Sequence, residues 1–198
     1  MKKIGVTGGI GAGKSMICHI FEILGVPNYA ADQRAKWLQK NDNLLKNQIM
    51  TLFGEQAYTD TGELNRAFIS QIVFNNTDKL AAINALVHPA VAKDFDQWCE
   101  KHAQKPFILK EAALLFETAS YKSLDAIIVV YASKELRMQR TLERDAQRTM
   151  AEVEKIMKQQ MEPEKTLQLA DFIIYNEANT SVIQQCVALF QRLSTVPR

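Results

Sequence analysis

The sequence has only three cysteines, no long apolar run and almost no net charge, and each of these features excludes a class of protein. Cys18, Cys99 and Cys186 are scattered and odd in number, which indicates free thiols in a reducing cytosol rather than a disulfide framework or a zinc site. No apolar stretch approaches the roughly 18 residues that a membrane span requires. The basic start of the chain lacks the apolar region of a secretory signal.

The charge and the length set further bounds. A formal net charge of +2 does not indicate nucleic acid as a partner. The 198 residues, 47% of them hydrophobic, are enough for one sizeable core. The sequence contains no internal repeat, no low-complexity stretch and no N-K-x-D motif of the kind that reads guanine. We therefore expect one cytoplasmic domain, a monomer or weak oligomer, that binds neither nucleic acid nor membrane.

Glycine is scarce, with eight in the chain, yet four of the eight fall within residues 8–13. Residues 8–15 read G-G-I-G-A-G-K-S and fit the phosphate-binding P-loop, G-x-x-x-x-G-K-S. In such a loop successive backbone N–H groups bind an anion, and glycine keeps side chains out of their way. Lys14 can reach the β and γ phosphates, and Ser15 offers a hydroxyl to Mg²⁺. A helix that begins near Gly13 aims its positive end at the same anion.

The flanks of this loop support the motif. Residues 3–7 are predicted to form a short buried strand, and apolar residues recur at helical spacing from Met16 to Leu24. Strand, glycine loop and helix is the order that the motif requires, whereas a chance glycine turn would not bring all three together. The loop therefore predicts binding of a nucleoside triphosphate. The expected nucleotide contacts in and beside it are Gly9, Gly11, Ala12, Gly13, Lys14, Ser15 and Met16.

The rest of the chain predicts an α/β fold with five short strands separated by helices. Later strands are predicted near residues 26–29, 107–109, 126–131 and 172–175, and residues 182–193 form a closing amphipathic helix. Residues 33–104 are predicted to be a helical insertion that forms the acceptor pocket, with one helix ending at His88-Pro89 because the residue before proline avoids the α region. The core is then about 1–32, 105–133 and 166–198. A helical lid is expected over 134–165.

Asp32 follows the second predicted strand. Ligands of parallel sheets gather beyond the carboxyl ends of the strands, so a carboxylate here could accept a hydroxyl proton during phosphoryl transfer. Asp is equally a favoured helix N-cap, and residues 33–39 can be helical. Both roles stay open, and one carboxylate can serve both.

Two further sets of charged residues are candidates. Glu111, at the end of the third strand, can orient a metal-bound water or the acceptor, or it can be solvated; Glu117 follows it. Arg140 and Arg144 share a helix face, which suits a lid that closes over polyphosphate. A solvated surface interleaved with Glu143 is the alternative for the arginines.

With these pieces placed, nearly the whole chain resembles the dephospho-coenzyme A kinase family. The matching segments are 7–15, 26–32, 62–66, 73–74, His88-Pro89, 114–117, Gln139-Arg140, Arg144-Asp145, Gln160, Ala170-Asp171 and Asn176. The chain departs from the family's usual pattern at Ala30, Met16, Lys36, Asn65 and Ala113, where the family more often has Asp, Thr, Arg, Asp and Pro. The chain keeps the family's other key residues, which are Lys14 and Ser15 of the P-loop, Asp32 as the base, and the lid arginines Arg140 and Arg144.

The resemblance implies a P-loop NTPase-type five-stranded parallel sheet with helices on both faces, a helical substrate-binding insertion and a helical lid. It implies transfer of the ATP γ-phosphoryl to the ribose 3′-hydroxyl of dephospho-coenzyme A, with ATP and Mg²⁺ required. Asp32 would be the base, Lys14 and Arg140 would stabilise transferred charge, Ser15 would hold the metal, and Arg144 and Asn176 would contact the nucleotide. The implied substrate contacts are Asp32, Lys36, Arg66, His88, Leu115 and Glu117.

Two alternatives are weighed against this interpretation. One is another P-loop small-molecule or nucleotide kinase, which a panel of acceptors would distinguish. The other is a nucleotide-binding switch module, which would bind nucleotide tightly without acceptor turnover.

Overall fold

The structure is a computed structural model that describes residues 1–74 and 76–195. The described residues form two units. One contains Met1–Ala30 and the described residues from His102 onward, and the other contains the described residues of Ala31–Lys101. The last three residues of the predicted core segment 166–198 lie outside the described residues. No helix in the described ranges combines the length and the apolar character needed to cross a bilayer.

The first unit contains a five-stranded parallel sheet, as the sequence predicts. The strands are β1 (Lys2–Thr7), β2 (Asn28–Ala30), β3 (Phe107–Glu111), β4 (Ala126–Tyr131) and β5 (Phe172–Tyr175), in the order β2-β3-β1-β4-β5. Val6 of β1 pairs with Glu111 of β3 and Ile128 of β4, and Ala30 of β2 also pairs with Glu111. The carboxyl ends of β1, β2 and β3 are thereby aligned at one edge.

The central strands are apolar because helices cover both faces of a parallel sheet. Phe21 and Phe107 are fully buried in this core and meet edge to face, with ring centroids 6.3 Å apart. Burial of side chains of this size stabilises the fold by about 1.5–3 kcal/mol each. The helices of the unit are α1 (Lys14–Ile23), α6 (Lys134–Arg144), α7 (Met150–Gln159), α8 (Pro163–Gln168) and α9 (Val182–Thr195).

The second unit is helical and has its own core. It contains α2 (Ala31–Asn41), α3 (Asn43–Phe53), α4 (Arg66–Phe74) and α5 (Thr77–Lys101). The side chain of Asp42 caps α3 by accepting from the N–H groups of Leu44 and Leu45. The buried residues at its centre are Leu38, Leu45, Ile49, Ala57, Tyr58, Ile69, Ile83 and Val87.

The prediction that a helix ends at His88-Pro89 is wrong. α5 continues through Pro89 to Lys101. Proline removes one backbone hydrogen bond, but Ile83, Val87, Phe95 and Cys99 are all buried along the helix on either side of it. Packing of this face outweighs the local preference of the residue before proline.

Two further expectations concern helix ends. The sequence predicts that Ser133 caps a helix from about Lys134, and that a helix from Met150 to Met161 ends before Pro163. Ser133 stands at the N-cap of α6, but its side chain makes no capping bond. The backbone N–H and the hydroxyl of Ser133 instead donate to the carboxylate of Glu177, at 2.5 and 3.2 Å. α7 ends at Gln159, before Pro163, as predicted. Pro163 also begins α8, because proline is favoured in the first turn of a helix.

Candidate phosphoryl-transfer site

The glycine loop joins β1 to α1. Gly11 and Gly13 have φ values of +77° and +95°, in the left-handed region that residues with a Cβ adopt only at a cost. The N–H of Ala12 donates to the Gly9 carbonyl at 3.1 Å and closes the loop. Since α1 begins at Lys14, its unpaired N–H groups and positive dipole end adjoin the loop, which makes this region suitable for phosphate.

The side chains of Lys14 and Ser15 are held in place by hydrogen bonds within the loop and to β3. The Lys14 ammonium donates to the carbonyl of Gly8 at 2.9 Å and to that of Gly9 at 3.3 Å. This holds the charge against the first two residues of the loop. The exposed Ser15 hydroxyl donates to Oε1 of Glu111 at 2.7 Å.

Glu111 is thus brought to the loop by strand pairing. Cys18, one turn along α1 from Lys14, also hydrogen-bonds the Glu111 carboxylate. Burial, with a smaller effect of the Glu111 charge, raises the pKa of the Cys18 thiol well above its usual value. The hydroxyl of Ser15 and the carboxylate of Glu111 are hard oxygen donors of the kind that Mg²⁺ prefers. Glu111, left open by the sequence, therefore belongs to this site.

Asn176 and Arg140 meet at the other end of the loop. The buried Asn176 amide donates to the Ala12 carbonyl at 2.8 Å. Arg140 donates to the backbone carbonyl and to Oδ1 of Asn176, at 3.1 and 3.3 Å. A Cβ on Gly13 would overlap the Asn176 amide. Three predicted nucleotide contacts, Ala12, Gly13 and Asn176, thus lie together. The hydrogen bonds to Asn176 also hold the side chain of Arg140 in position.

The segment predicted as a lid, residues 134–165, is hydrogen-bonded to the rest of this unit by a side chain and by a backbone N–H group. The N–H of Ile10 donates to Oε1 of Gln160 at 2.8 Å, and the N–H of Met161 donates to Oε1 of Glu117 at 2.8 Å. Arg144 is exposed and pairs with Asp145 at 2.9 Å. The Arg144 guanidinium, through this hydrogen bond, holds the pKa of the Asp145 carboxyl below its usual range.

Arg137 is the site residue that the sequence did not assign. Its side chain packs against Gly9, so that a Cβ there would overlap the guanidinium. Its carbonyl packs against Gly11. The spacing of Arg137, Arg140 and Arg144 shows that they lie along one helix, but only the tertiary fold shows which of them is buried against the loop.

The remaining predicted substrate contacts lie on two sets of elements. Leu115 is fully buried in the first unit. In the helical unit, the exposed residues Asp32 and Lys36 are four apart on α2, Arg66 begins α4, and His88 lies on α5. Asp32 is in the first turn of α2 and follows the last residue of β2 by two positions.

One ion pair in the helical unit was not predicted. Nε of Arg34 donates to Oδ2 of Asp94 at 2.9 Å, and the guanidinium carbon lies 4.4 Å from the centroid of the Trp37 ring. The two charged partners are 60 positions apart in the sequence, and no spacing rule pairs them. The interaction ties α2 to α5.

The parallel sheet, the loop and its lysine and serine define a P-loop kinase-type α/β protein. A family model for dephospho-CoA kinase matches residues 2–181. The chain therefore belongs to the dephospho-CoA kinase family.

Similar proteins agree with this assignment. A dephospho-CoA kinase of Chlorobium chlorochromatii is 39% identical over 188 residues, covering 92% of this chain and 88% of the relative. One from Bacteroides fragilis is 34% identical, covering 94% and 90%. The solved dephospho-CoA kinase of Campylobacter jejuni is 27% identical, with a TM-score of 0.72 and coverage of 97% and 96%. A Thermus thermophilus protein, 26% identical, has a TM-score of 0.87 and covers 98% of both chains.

Proposed function

We propose that this kinase transfers the γ-phosphoryl group of ATP to the ribose 3′-hydroxyl of dephospho-coenzyme A, giving coenzyme A and ADP. This is the last step of coenzyme A biosynthesis. The observation that carries the proposal is the complete phosphate loop, with its lysine, serine and Glu111, in a chain that matches the family from residue 2 to residue 181. Three free thiols suit a reducing cytoplasm, and we expect a monomer or weak oligomer.

The phosphate loop accounts for donor binding. The backbone N–H groups of residues 11–16 and the N-terminus of α1 bind the α and β phosphates. On nucleotide binding the Lys14 ammonium exchanges the carbonyls of Gly8 and Gly9 for phosphate oxygens. Stabilisation of developing charge by such fixed groups is the main catalytic contribution in phosphoryl transfer. Asn176, tied to the loop by its amide, is the nucleotide contact at the far end.

Ser15 and Glu111 are the residues that would hold Mg²⁺. The hydroxyl of Ser15 would be a ligand, and Glu111, which accepts from that hydroxyl, would hold it in position. A metal held there would supply positive charge that offsets the negative charge of the phosphate groups.

Asp32 is the general base in this proposal. Its carboxylate accepts the proton of the 3′-hydroxyl as the oxygen attacks phosphorus. In this proposal Lys36, Arg66, His88 and Glu117 bind the acceptor. Leu115 was expected to join them, but its side chain is fully buried and offers the acceptor no exposed surface. Arg140 and Arg144 close over the phosphates and exclude water, because a kinase must favour the alcohol over hydrolysis.

The test measures ADP release by the purified protein with ATP, Mg²⁺ and dephospho-coenzyme A. Asp32→Asn is expected to lower kcat by about 100-fold or more, the usual contribution of a general base. Asp78→Asn is the matched control, since Asp78 is also an exposed aspartate in the first turn of a helix in the same unit. A normal rate in Asp32→Asn would remove the base assignment. Faster turnover with a nucleoside, a nucleotide or shikimate would remove the acceptor assignment.

A further inference from the structure

Arg137 carries a largely buried positive charge that is not fully paired by the described residues. The residue is only 8% exposed, and its Nε atom is buried with no hydrogen-bond partner among the described residues. None of the ion pairs in the described ranges includes its guanidinium. A charge in such a place is costly to a fold unless an anion or a polar ligand compensates it. Burial of this charge is therefore a cost that a bound anion would offset.

The guanidinium remains charged in this position. Burial lowers the pKa of Arg137 below its ordinary value, while the neighbouring Tyr131 and Glu135 partly oppose that change. An arginine starts from so high a pKa that it keeps its proton in proteins. The site therefore holds a permanent cation.

Arg137 is directed at the first residues of the phosphate loop. Its Nη1 atom packs so closely on Gly9 that no side chain fits there. The Lys14 ammonium lies 3.3 Å from the carbonyl of the same glycine. Each of the two cations thus contacts Gly9, whereas Arg140 is held at the opposite end of the loop by Asn176.

A small cavity adjoins Arg137. It has a volume of about 30 Å³, and its lining includes Thr7, Gly8, Gly9, Arg137, Glu117 and Gln160. A space of this size holds water but no nucleoside. The side-chain oxygens of Gln160 and Glu117 already accept from the N–H groups of Ile10 and Met161. A group that enters this cavity is therefore small, and the positive charge of Arg137 favours a negatively charged one.

We propose that Arg137 is a catalytic residue that binds the γ-phosphoryl group of ATP, with an oxygen of that group entering the cavity beside Gly9. The inference rests on ATP being the donor in the proposed function. The loop lysine reaches the β and γ phosphates, and Arg137 shares its end of the loop. A guanidinium at the γ position offsets the charge that develops on the transferred group. Arg140 contacts Asn176 at the other end of the loop.

The experiment compares two nucleotides by isothermal titration calorimetry in Mg²⁺, without acceptor. The probes are ADP and the β,γ-imido analogue of ATP, which differ by the terminal phosphoryl group. Arg137→Gln is expected to weaken binding of the analogue on the order of tenfold or more, because a hydrogen bond to a charged group is lost. ADP binding is expected to change by less than about twofold on the same reasoning.

The matched control is Lys134→Gln, which removes one positive charge from an exposed position on the same helix and should leave both affinities unchanged. Arg137→Lys keeps the charge without the planar fork and should retain part of the preference for the analogue. An equal loss for both nucleotides, or no loss for either, in Arg137→Gln would overturn the proposal. If that variant does not fold, the same two outcomes in Arg137→Lys decide.

Failure of this inference differs from failure of the proposed function. If the wild-type protein does not phosphorylate dephospho-coenzyme A but Arg137→Gln loses its preference for the analogue, the acceptor is wrong and the role of Arg137 stands. If turnover is normal and the preference is unchanged, Arg137 does not bind the γ-phosphoryl group.

Discussion

Gly11→Ala is expected to damage both stability and nucleotide binding. Gly11 has a φ of +77°, which costs alanine about 1–2 kcal/mol. The new Cβ would overlap the carbonyl oxygen of Arg137 and lie 2.6 Å from Oγ1 of Thr141. Those two atoms cannot easily move, since the Thr141 hydroxyl donates to that carbonyl at 2.7 Å within the buried interior. Relief of the overlap adds about 1–3 kcal/mol.

Gly25→Ala separates the two contributions. Gly25 has a similar φ of +85°, but a Cβ there would meet nothing within 4 Å. We expect its free energy of unfolding to fall by about 1–2 kcal/mol, from backbone strain alone. Gly11→Ala should lose about 2–5 kcal/mol, the sum of strain and overlap.

Urea denaturation of both variants measures the difference, and ATP titration gives a second readout. Nucleotide affinity should fall in Gly11→Ala and stay unchanged in Gly25→Ala, because only the first displaces the phosphate loop. Equal losses of stability in the two variants would refute the reasoning that α6 supports the loop.

Three further outcomes are expected. Glu111→Gln should raise the Mg²⁺ concentration needed for ATP binding about tenfold, which a Mg²⁺ titration measures; an unchanged requirement would separate Glu111 from the metal. Asn176→Ala should lower the free energy of unfolding by about 1–3 kcal/mol, since the Ala12 carbonyl loses its donor, and urea midpoints would show no change if that bond is unimportant. Ellman's reagent should find all three buried thiols, Cys18 included, unreactive in native protein but reactive in denaturant; fast native labelling would contradict this burial.

Local sequence patterns were enough to predict the elements of the sheet. The run Ala126–Tyr131 is continuous, apolar and β-branched, and it forms β4 within those bounds. The glycine loop was found for the same reason, since its chemistry lies in consecutive residues. The order of the strands was not predicted, because Val6 and Glu111 are paired by the tertiary fold over more than 100 positions.

Packing explains the predictions that failed. The residue before Pro89 prefers an extended backbone, but the buried face of α5 is continuous across it. Arg137 could not be assigned from its spacing, because only the fold shows which face of α6 lies on Gly9.

Phosphorus NMR of a mixture of the protein, ATP, Mg²⁺ and dephospho-coenzyme A tests the central claim most directly. The account predicts that one new phosphomonoester signal, on the ribose 3′-oxygen of the acceptor, grows in step with ADP. The signal should be nearly absent with Asp32→Asn and normal with Asp78→Asn. Formation of ADP with inorganic phosphate, and no phosphomonoester on the acceptor, would contradict it.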